Sequence, residues 1–183
     1  MLKSDGDSTT SWVDPNTLVD VGAVTFNRII DGQSSATSQE PTGTDTPLQL
    51  EFGNAINSGV DPVMLSNDGT VTFNDAGTYL IRLVIQYGRT GSASTAQLHA
   101  RAVVNGSAQI GDTVSAAIDS ANTLIPISIS AWATVTAGTT FHYEMVRDST
   151  GADAGGVFSS VATLGDWTDS PCATIRVERI EAA

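Results

Sequence analysis

The amino-acid sequence predicts an all-β protein, built as an antiparallel sandwich with an extended N-terminal arm. Charged residues make up only 15% of the 183 residues, whereas Gly, Ala, Ser and Thr are abundant, which is atypical of long solvated helices. From residue 47 onward, short apolar runs recur with turn formers between them. No helical period intervenes, and many short strands joined by turns are typical of sandwiches and barrels.

The first 46 residues differ in pattern from the rest. Residues 1–20 have no sustained period, so we predict an extended arm that gains order only by laying its few apolar side chains on another surface. Residues 21–30, "VGAVTFNRII", form a candidate strand, and residues 31–46 have the polar composition of a linker loop. The candidate anchoring residues of the arm are Trp12, Val13, Leu18 and Val21.

A compact domain is predicted for residues 47–183, and we expect residues 47–180 to fold without the arm and linker at 1–46. Turn formers such as Asn67-Asp68-Gly69 separate its strands. The stretch Asn74–Gly77 predicts a hairpin between the third and fourth strands. The predicted strands are 47–52, 62–66, 70–73, 78–87, 95–104, 122–135, 139–147, 156–164 and 172–180.

Alternation within two strands predicts more than one buried surface. In 78–87, Tyr79 and every second residue after it are apolar, and so are Leu80 and Val84 on the other face. A strand with one face in the core should be polar outside, so a second subunit is expected to cover the other face. The alternative is that loops or the N-terminal arm of the same chain cover this second face. The candidate interface residues are Leu80 and Val84 in the strand predicted at 78–87, and Ile125, Ile127, Ile129 and Trp132 in the strand predicted at 122–135.

Over residues 47–180 the order of segments resembles the TNF/C1q-like jelly roll, in particular the versions found in bacteriophage virion proteins. The segments are "VMLSNDGTVTFNDAGTYLIRLVIQY", "LHARAVVNGSAQIG", "ISISAWATVTAGTTFHYEMVRDSTG" and "CATIRVERI". Gly77 and Tyr79 match the turn that opens a long strand in the family. Asn105-Gly106 matches its hairpin turn. Ala137-Gly138-Thr139 matches the turn before a strand with alternating apolar residues. The resemblance implies an antiparallel jelly-roll sandwich of ten strands that forms a homotrimer about its long strands.

The composition argues against two classes of partner. The formal net charge is −12, with Lys3 the single lysine, and nucleic-acid binding depends on clustered Lys and Arg. A bilayer span needs about 18 or more consecutive apolar residues, and the sequence has no such run. Residues 1–10 are polar where a signal peptide is apolar, so synthesis in a host cytoplasm is expected.

The sequence offers no catalytic or metal-binding constellation, and we predict a protein with no enzyme activity and no cofactor. His99 and His142 lie inside strand patterns without the spacing of metal ligands. The Asp-rich turns at 4–8, 147–156 and 165–170 lack the spacing of a calcium loop, and we interpret their carboxylates as local backbone caps. Cys172 is interpreted as a small buried hydrophobe.

Two functional hypotheses remain. The first is a trimeric capsid decoration (cement) protein, located on the virion, that binds the major capsid protein on the outer surface of a phage head and uses residues 1–20 as an anchor. The alternative is the receptor-binding head domain of a tail fibre or spike. Such a head usually follows a shaft of heptads or repeats, and the sequence shows none.

Overall fold

The computed structural model describes residues 2–4, 10–12, 29–33, 38–53, 55, 62–91 and 94–182. These ranges contain fourteen β-strands and no helix, which confirms the all-β prediction. The strands are β1 (Leu2–Ser4), β2 (Thr10–Trp12), β3 (Ile29–Gln33), β4 (Ser38–Gln39), β5 (Leu48–Gln49), β6 (Val63–Leu65), β7 (Val71–Phe73), β8 (Gly77–Gly88), β9 (Ala96–Val104), β10 (Ser107–Ile118), β11 (Leu124–Val135), β12 (Thr139–Arg147), β13 (Gly156–Phe158) and β14 (Ala173–Ala182).

Two six-stranded antiparallel sheets form the sandwich. Sheet I has the order β10–β9–β12–β7–β6, and β5 pairs with β12. Sheet II has the order β3–β14–β8–β13–β4, and β11 pairs with β8. Strands β1 and β2 pair with each other in a separate two-stranded sheet. The sequence predicted the antiparallel sandwich correctly.

The core lies between the two sheets and is supplied by alternate residues of the long strands. In β8 the inward face is completely buried, as the alternation predicted. Sheet I contributes Leu98, Phe141 and Tyr143 from the opposite side. The inward residues of β8 are Tyr79, Ile81, Leu83, Ile85 and Tyr87.

The predicted hairpin across Asn74–Gly77 is wrong, because β7 belongs to sheet I and β8 to sheet II. A strand has only two edges. Those of β8 are occupied by β11 on one side and by β14 and β13 on the other. The turn therefore crosses from sheet to sheet, and the rings of Phe73 and Tyr79 meet inside the sandwich with centroids 4.6 Å apart.

Strand boundaries differ from the predictions at three places. The strand predicted at 47–52 is reduced to β5, Leu48–Gln49. Strand β10 was not predicted; it pairs with β9 after the Asn105-Gly106 turn, where both residues have positive φ. That turn matches the predicted hairpin. The strand predicted at 156–164 ends at Phe158, and residues 159–170 form a loop.

Part of the predicted arm and linker is paired into sheet II. β3 pairs with β14, and β4 pairs with β13, although 31–46 was predicted as a loop. Only residues 29–30 of the strand predicted at 21–30 are described, and they lie in β3. Trp12 lies in β2, so this portion of the arm is a paired strand. Val13, Leu18 and Val21 lie outside the described residues.

Side chains also attach residues 38–46 to the sandwich. Buried Arg147 reaches Glu40 with its Nη2 at 2.8 Å from Oε2, and its Nε donates to the carbonyl of Gly155 at 2.7 Å. The Gln39 amide donates to the carbonyl oxygen of Glu51 and accepts from its backbone N–H. The sandwich thus includes residues that precede the boundary predicted near Pro47.

Candidate self-association face

The outward side of sheet II carries exposed apolar side chains at its centre. Trp132 is 65% exposed and Val84 is 43% exposed, whereas Leu80 is only 7% exposed. Strand pairing places Trp132 opposite Leu80, Ser130 opposite Arg82 and Ser128 opposite Val84. We call this surface the sheet II face, formed by Leu80, Arg82, Val84, Ser128, Ser130 and Trp132.

The six predicted interface residues divide between the two sides of sheet II. Leu80, Val84 and Trp132 share the sheet II face. Ile129 is 8% exposed and belongs to the core, while Ile125 and Ile127 are half-buried and pack against that core. Within one chain the structure therefore brings together three of the six, and these three supply the apolar part of an outward surface.

Unpaired strand edges lie beside the sheet II face at β11 and at the neighbouring edge of sheet I, β10. β10 and β11 are each twelve residues long, and among the described strands each pairs along one edge only. A long free edge presents unpaired backbone donors and acceptors to other chains unless it is covered. This end of the sandwich is thus suited to contact with another copy.

Arg82 stands out among the described arginines. It is exposed and makes no hydrogen bond or ion pair with the residues that the structure describes. By contrast, Arg101 lies 2.9 Å from a carboxylate oxygen of Glu144. The cross-strand partner of Arg82 on β14 is Arg176, and like charges directly opposite each other destabilise a sheet. The sheet II face therefore combines apolar groups with an outward positive charge.

A second exposed apolar surface lies in the loop between β13 and β14, residues 159–170. Two backbone hydrogen bonds of 3.0 and 2.8 Å between Ser160 and Ser170 close its stem. The Gln86 amide, from the Gly88 end of β8, donates to Ser170 Oγ at 2.9 Å. The exposed apolar residues of this β13–β14 loop are Val161 (71%), Leu164 (64%) and Trp167 (71%).

Sequence reasoning missed the β13–β14 loop because Val161 and Leu164 continue an apolar run that reads as strand. The available signal was "GDWTDS" at 165–170, where Trp167 stands among turn formers instead of in an alternating pattern. An aromatic residue in such a turn has no strand face on which to be buried. Alternation alone could not show this exposure, since it applies only to paired strands.

Sheet I carries a shallow cleft of about 330 Å³, with acid–base pairs at and around it. His99 Nε2 lies 3.2 Å from Asp148 Oδ2, and His142 Nε2 lies 3.4 Å from Glu144 Oε1. Residues 142 and 144 share the outward face of β12. No group of three or more potential metal ligands occurs in the described ranges. The lining residues are Asp45, Pro47, His99, Arg101, Thr113, Glu144, Met145 and Val146.

Known proteins match this chain in structure but not in sequence. No protein-family model and no curated protein match it. The Eiger TNF of S. frugiperda matches with a TM-score of 0.52 and 15% identity, over 85% of this chain and 93% of that chain. The chain has the TNF/C1q-like jelly-roll fold. The globular domain of the zebrafish complement 1qA protein matches with a TM-score of 0.47 and 15% identity, over 85% and 98% of the two chains.

At this level of identity the likeness concerns the fold. In this TNF/C1q-like jelly roll, the sheet II face is the outer surface of the sheet that holds β8 and β11. None of the described segments forms a helix long and apolar enough to cross a bilayer.

Proposed function

We propose that the protein is a non-enzymatic structural protein that forms a homotrimer and decorates the outer surface of a bacteriophage head, where it binds the major capsid protein. The observation that carries the self-association is the sheet II face, with Trp132 and Val84 exposed beside an outward Arg82. Exposed apolar groups clustered on one side of a sheet are typical of an interaction surface. The free edges of β10 and β11 support the same proposal.

The capsid role rests on the sequence. The order of its segments resembles the jelly rolls of phage virion proteins, and the apolar residues dotted through 1–20 suit an anchor laid along a shell. β1 and β2 pair with Leu2 opposite Trp12, so residues 2–12 fold back on themselves. The proposed anchor is therefore a paired two-stranded segment laid on the shell and not a fully extended chain.

The trimer is tested by placing a charge on the sheet II face. Val84→Asp should give folded monomers at micromolar concentration, because a buried unpaired carboxylate opposes the interface. Met64→Asp is the matched control: Met64 is 55% exposed on β6 of sheet I, and its variant should remain trimeric. Mass photometry and circular dichroism report assembly and folding separately. A wild-type protein that is a stable monomer at micromolar concentration would contradict the proposal.

The capsid anchor is tested by deleting residues 1–20. The truncated protein should still form trimers, and its retention on purified phage heads should fall sharply relative to the full chain. Equal decoration by both proteins would show that the arm is not the anchor. A failure to form trimers would place the arm in the trimer itself and favour a fibre head.

The alternative function, a receptor-binding head of a tail fibre or spike, is favoured by the exposed Trp167 on the β13–β14 loop. Aromatic side chains of this kind are common at recognition surfaces. In that case Trp167→Ala would abolish binding to host cells and leave the trimer intact. A decoration protein would bind heads and show no binding to cells.

A further inference from the structure

We propose that the β13–β14 loop of one copy packs on the sheet II face of a second copy, with Asp166 of the loop paired to Arg82 of the face. This inference rests on the proposed self-association and names the surfaces that meet. Both surfaces are exposed and partly apolar in the single chain.

The loop offers an apolar tip and an available negative charge. Leu164 and Trp167 are joined by a backbone hydrogen bond of 3.0 Å, from the N–H of Trp167 to the carbonyl of Leu164. Asp169 is engaged inside the loop, since its Oδ1 accepts from the N–H of Ala162 at 2.8 Å. Asp166 is exposed and has no hydrogen bond or ion pair with the described residues. The tip is therefore a preformed apolar surface with an outward carboxylate.

The sheet II face is complementary to the β13–β14 loop in apolar area and in charge. Trp132 and Val84 offer apolar area, and Arg82 offers a positive charge without a described partner. Because the chain carries a net charge of −12, two copies repel each other over most of their surfaces. An interface that brings an outward arginine to an outward carboxylate offsets this repulsion and fixes the orientation.

Within one copy the loop leaves this face uncovered. The stem of the loop is held beside Gln86. Arg82 precedes Gln86 by four residues in β8, a distance of about 13 Å at the rise of a strand. Arg82 and Val84 both remain exposed. The contact therefore joins different surfaces of two copies. Such a heterologous contact closes when it is repeated around a ring, as in a trimer.

Charge reversal tests the pairing. Arg82→Asp and Asp166→Arg should each raise the concentration at which half of the trimer dissociates by at least about tenfold. The double variant, R82D with D166R, should return to within about threefold of wild type. Arg82→Asp is expected to fold, because it removes one of two like charges placed opposite each other on β8 and β14. Glu51→Arg, an exposed carboxylate outside both surfaces, should leave the trimer unchanged.

The outcomes separate this inference from the proposed function. A trimeric wild type whose double variant dissociates as readily as the weaker single variant would overturn the loop-to-face contact alone. A trimer unaffected by Asp166→Arg, with loss of binding to heads or cells, would also overturn it and assign the loop to another partner. A monomeric wild type would overturn the proposed trimer itself.

Discussion

Tyr79 and Tyr87 occupy the same buried face of β8 but differ in what their hydroxyl groups contact. The Tyr79 hydroxyl donates to the carbonyl of Asp75 at 2.9 Å. The Tyr87 hydroxyl is buried without a hydrogen-bond partner among the described residues. Burial raises the pKa of Tyr87, because a phenolate there would lose its hydration.

Removing the two hydroxyl groups should therefore have opposite effects. Tyr87→Phe is expected to keep or raise the free energy of unfolding by about 1 kcal/mol, since an unsatisfied buried hydroxyl is costly. Tyr79→Phe loses a hydrogen bond and should lower it by about 1 kcal/mol. Urea unfolding of both variants measures the difference. A clear loss of stability in Tyr87→Phe would reveal a partner for its hydroxyl in the assembled protein.

Asp148 caps the turn after β12. Its Oδ1 accepts from the hydroxyl of Thr150 at 2.6 Å and from the N–H of Thr150 at 2.7 Å. These hydrogen bonds lower the pKa of Asp148, and His99 adds a smaller effect in the same direction. A carboxylate with a lowered folded pKa stabilises the fold above its unfolded pKa of about 4 and loses that contribution as the pH falls through the folded pKa.

Asp148→Asn should consequently melt below wild type at pH 7, and the gap should narrow as the pH falls below about 4. Thermal melts of both proteins between pH 2 and pH 8 give the comparison. Glu51→Gln, which removes an exposed carboxylate outside the sheet II face and the β13–β14 loop, should follow the wild-type profile. A gap that stays constant down to the lowest pH would contradict a role for the ionised carboxylate.

At the scale of elements, β3 and β4 extend sheet II, although residues 31–46 were assigned to a linker loop from their composition. β3 pairs along β14 from Ile29 to Gln33. Glu40, which follows β4, is an ion-pair partner of buried Arg147. Arg147 keeps a second carboxylate, Asp153, at 3.2 Å. Losing Glu40 therefore removes one of the two ion pairs that compensate the buried guanidinium, which is destabilising.

A chain lacking residues 1–46 should therefore be less stable than one lacking residues 1–28. The loss of β3, β4 and Glu40 is expected to cost about 3 kcal/mol, or roughly 6–12 °C in Tm for a domain of this size. Differential scanning calorimetry of the two truncated proteins measures it. Equal melting temperatures would restore the boundary first predicted near Pro47 and show that β3 and β4 add little.

At the scale of the whole molecule, the proposed role depends on surfaces and not on reactive groups. His99 and His142 sit beside carboxylates on the outward side of sheet I, away from the sheet II face. Their contacts tie neighbouring positions of β9, β12 and the turn after β12. Neither histidine belongs to a group of three potential metal ligands within the described ranges.

Replacing both histidines by Gln should leave trimer formation and head binding unchanged, with a modest loss of stability. Treatment with a chelator should likewise leave the trimer intact. A fall in Tm of more than about 5 °C on chelation, which corresponds to roughly 1–2 kcal/mol, would show that the Asp-rich turns hold a cation. Mass photometry before and after chelation supplies the assembly readout.

The sequence by itself determined the all-β class and the buried face of β8. Alternation in β8 reports the interior directly, because successive side chains point to opposite sides of a sheet. For this reason the alternate residues from Tyr79 to Tyr87 were assigned correctly to one buried face without a structure. The order of turns was sufficient to indicate the jelly roll, whereas the phage role stays a prediction.

Only the tertiary structure decided which strands pair and which outward residues stay uncovered. Periodicity does not specify a partner, so Asn74–Gly77 read as a hairpin although both edges of β8 belong to other strands. Likewise Ile129 and Trp132 looked equally suited to an interface until the packing buried the first and exposed the second. The exposure of Arg82 and of the β13–β14 loop depends on contacts between residues far apart in the chain, which local pattern does not encode.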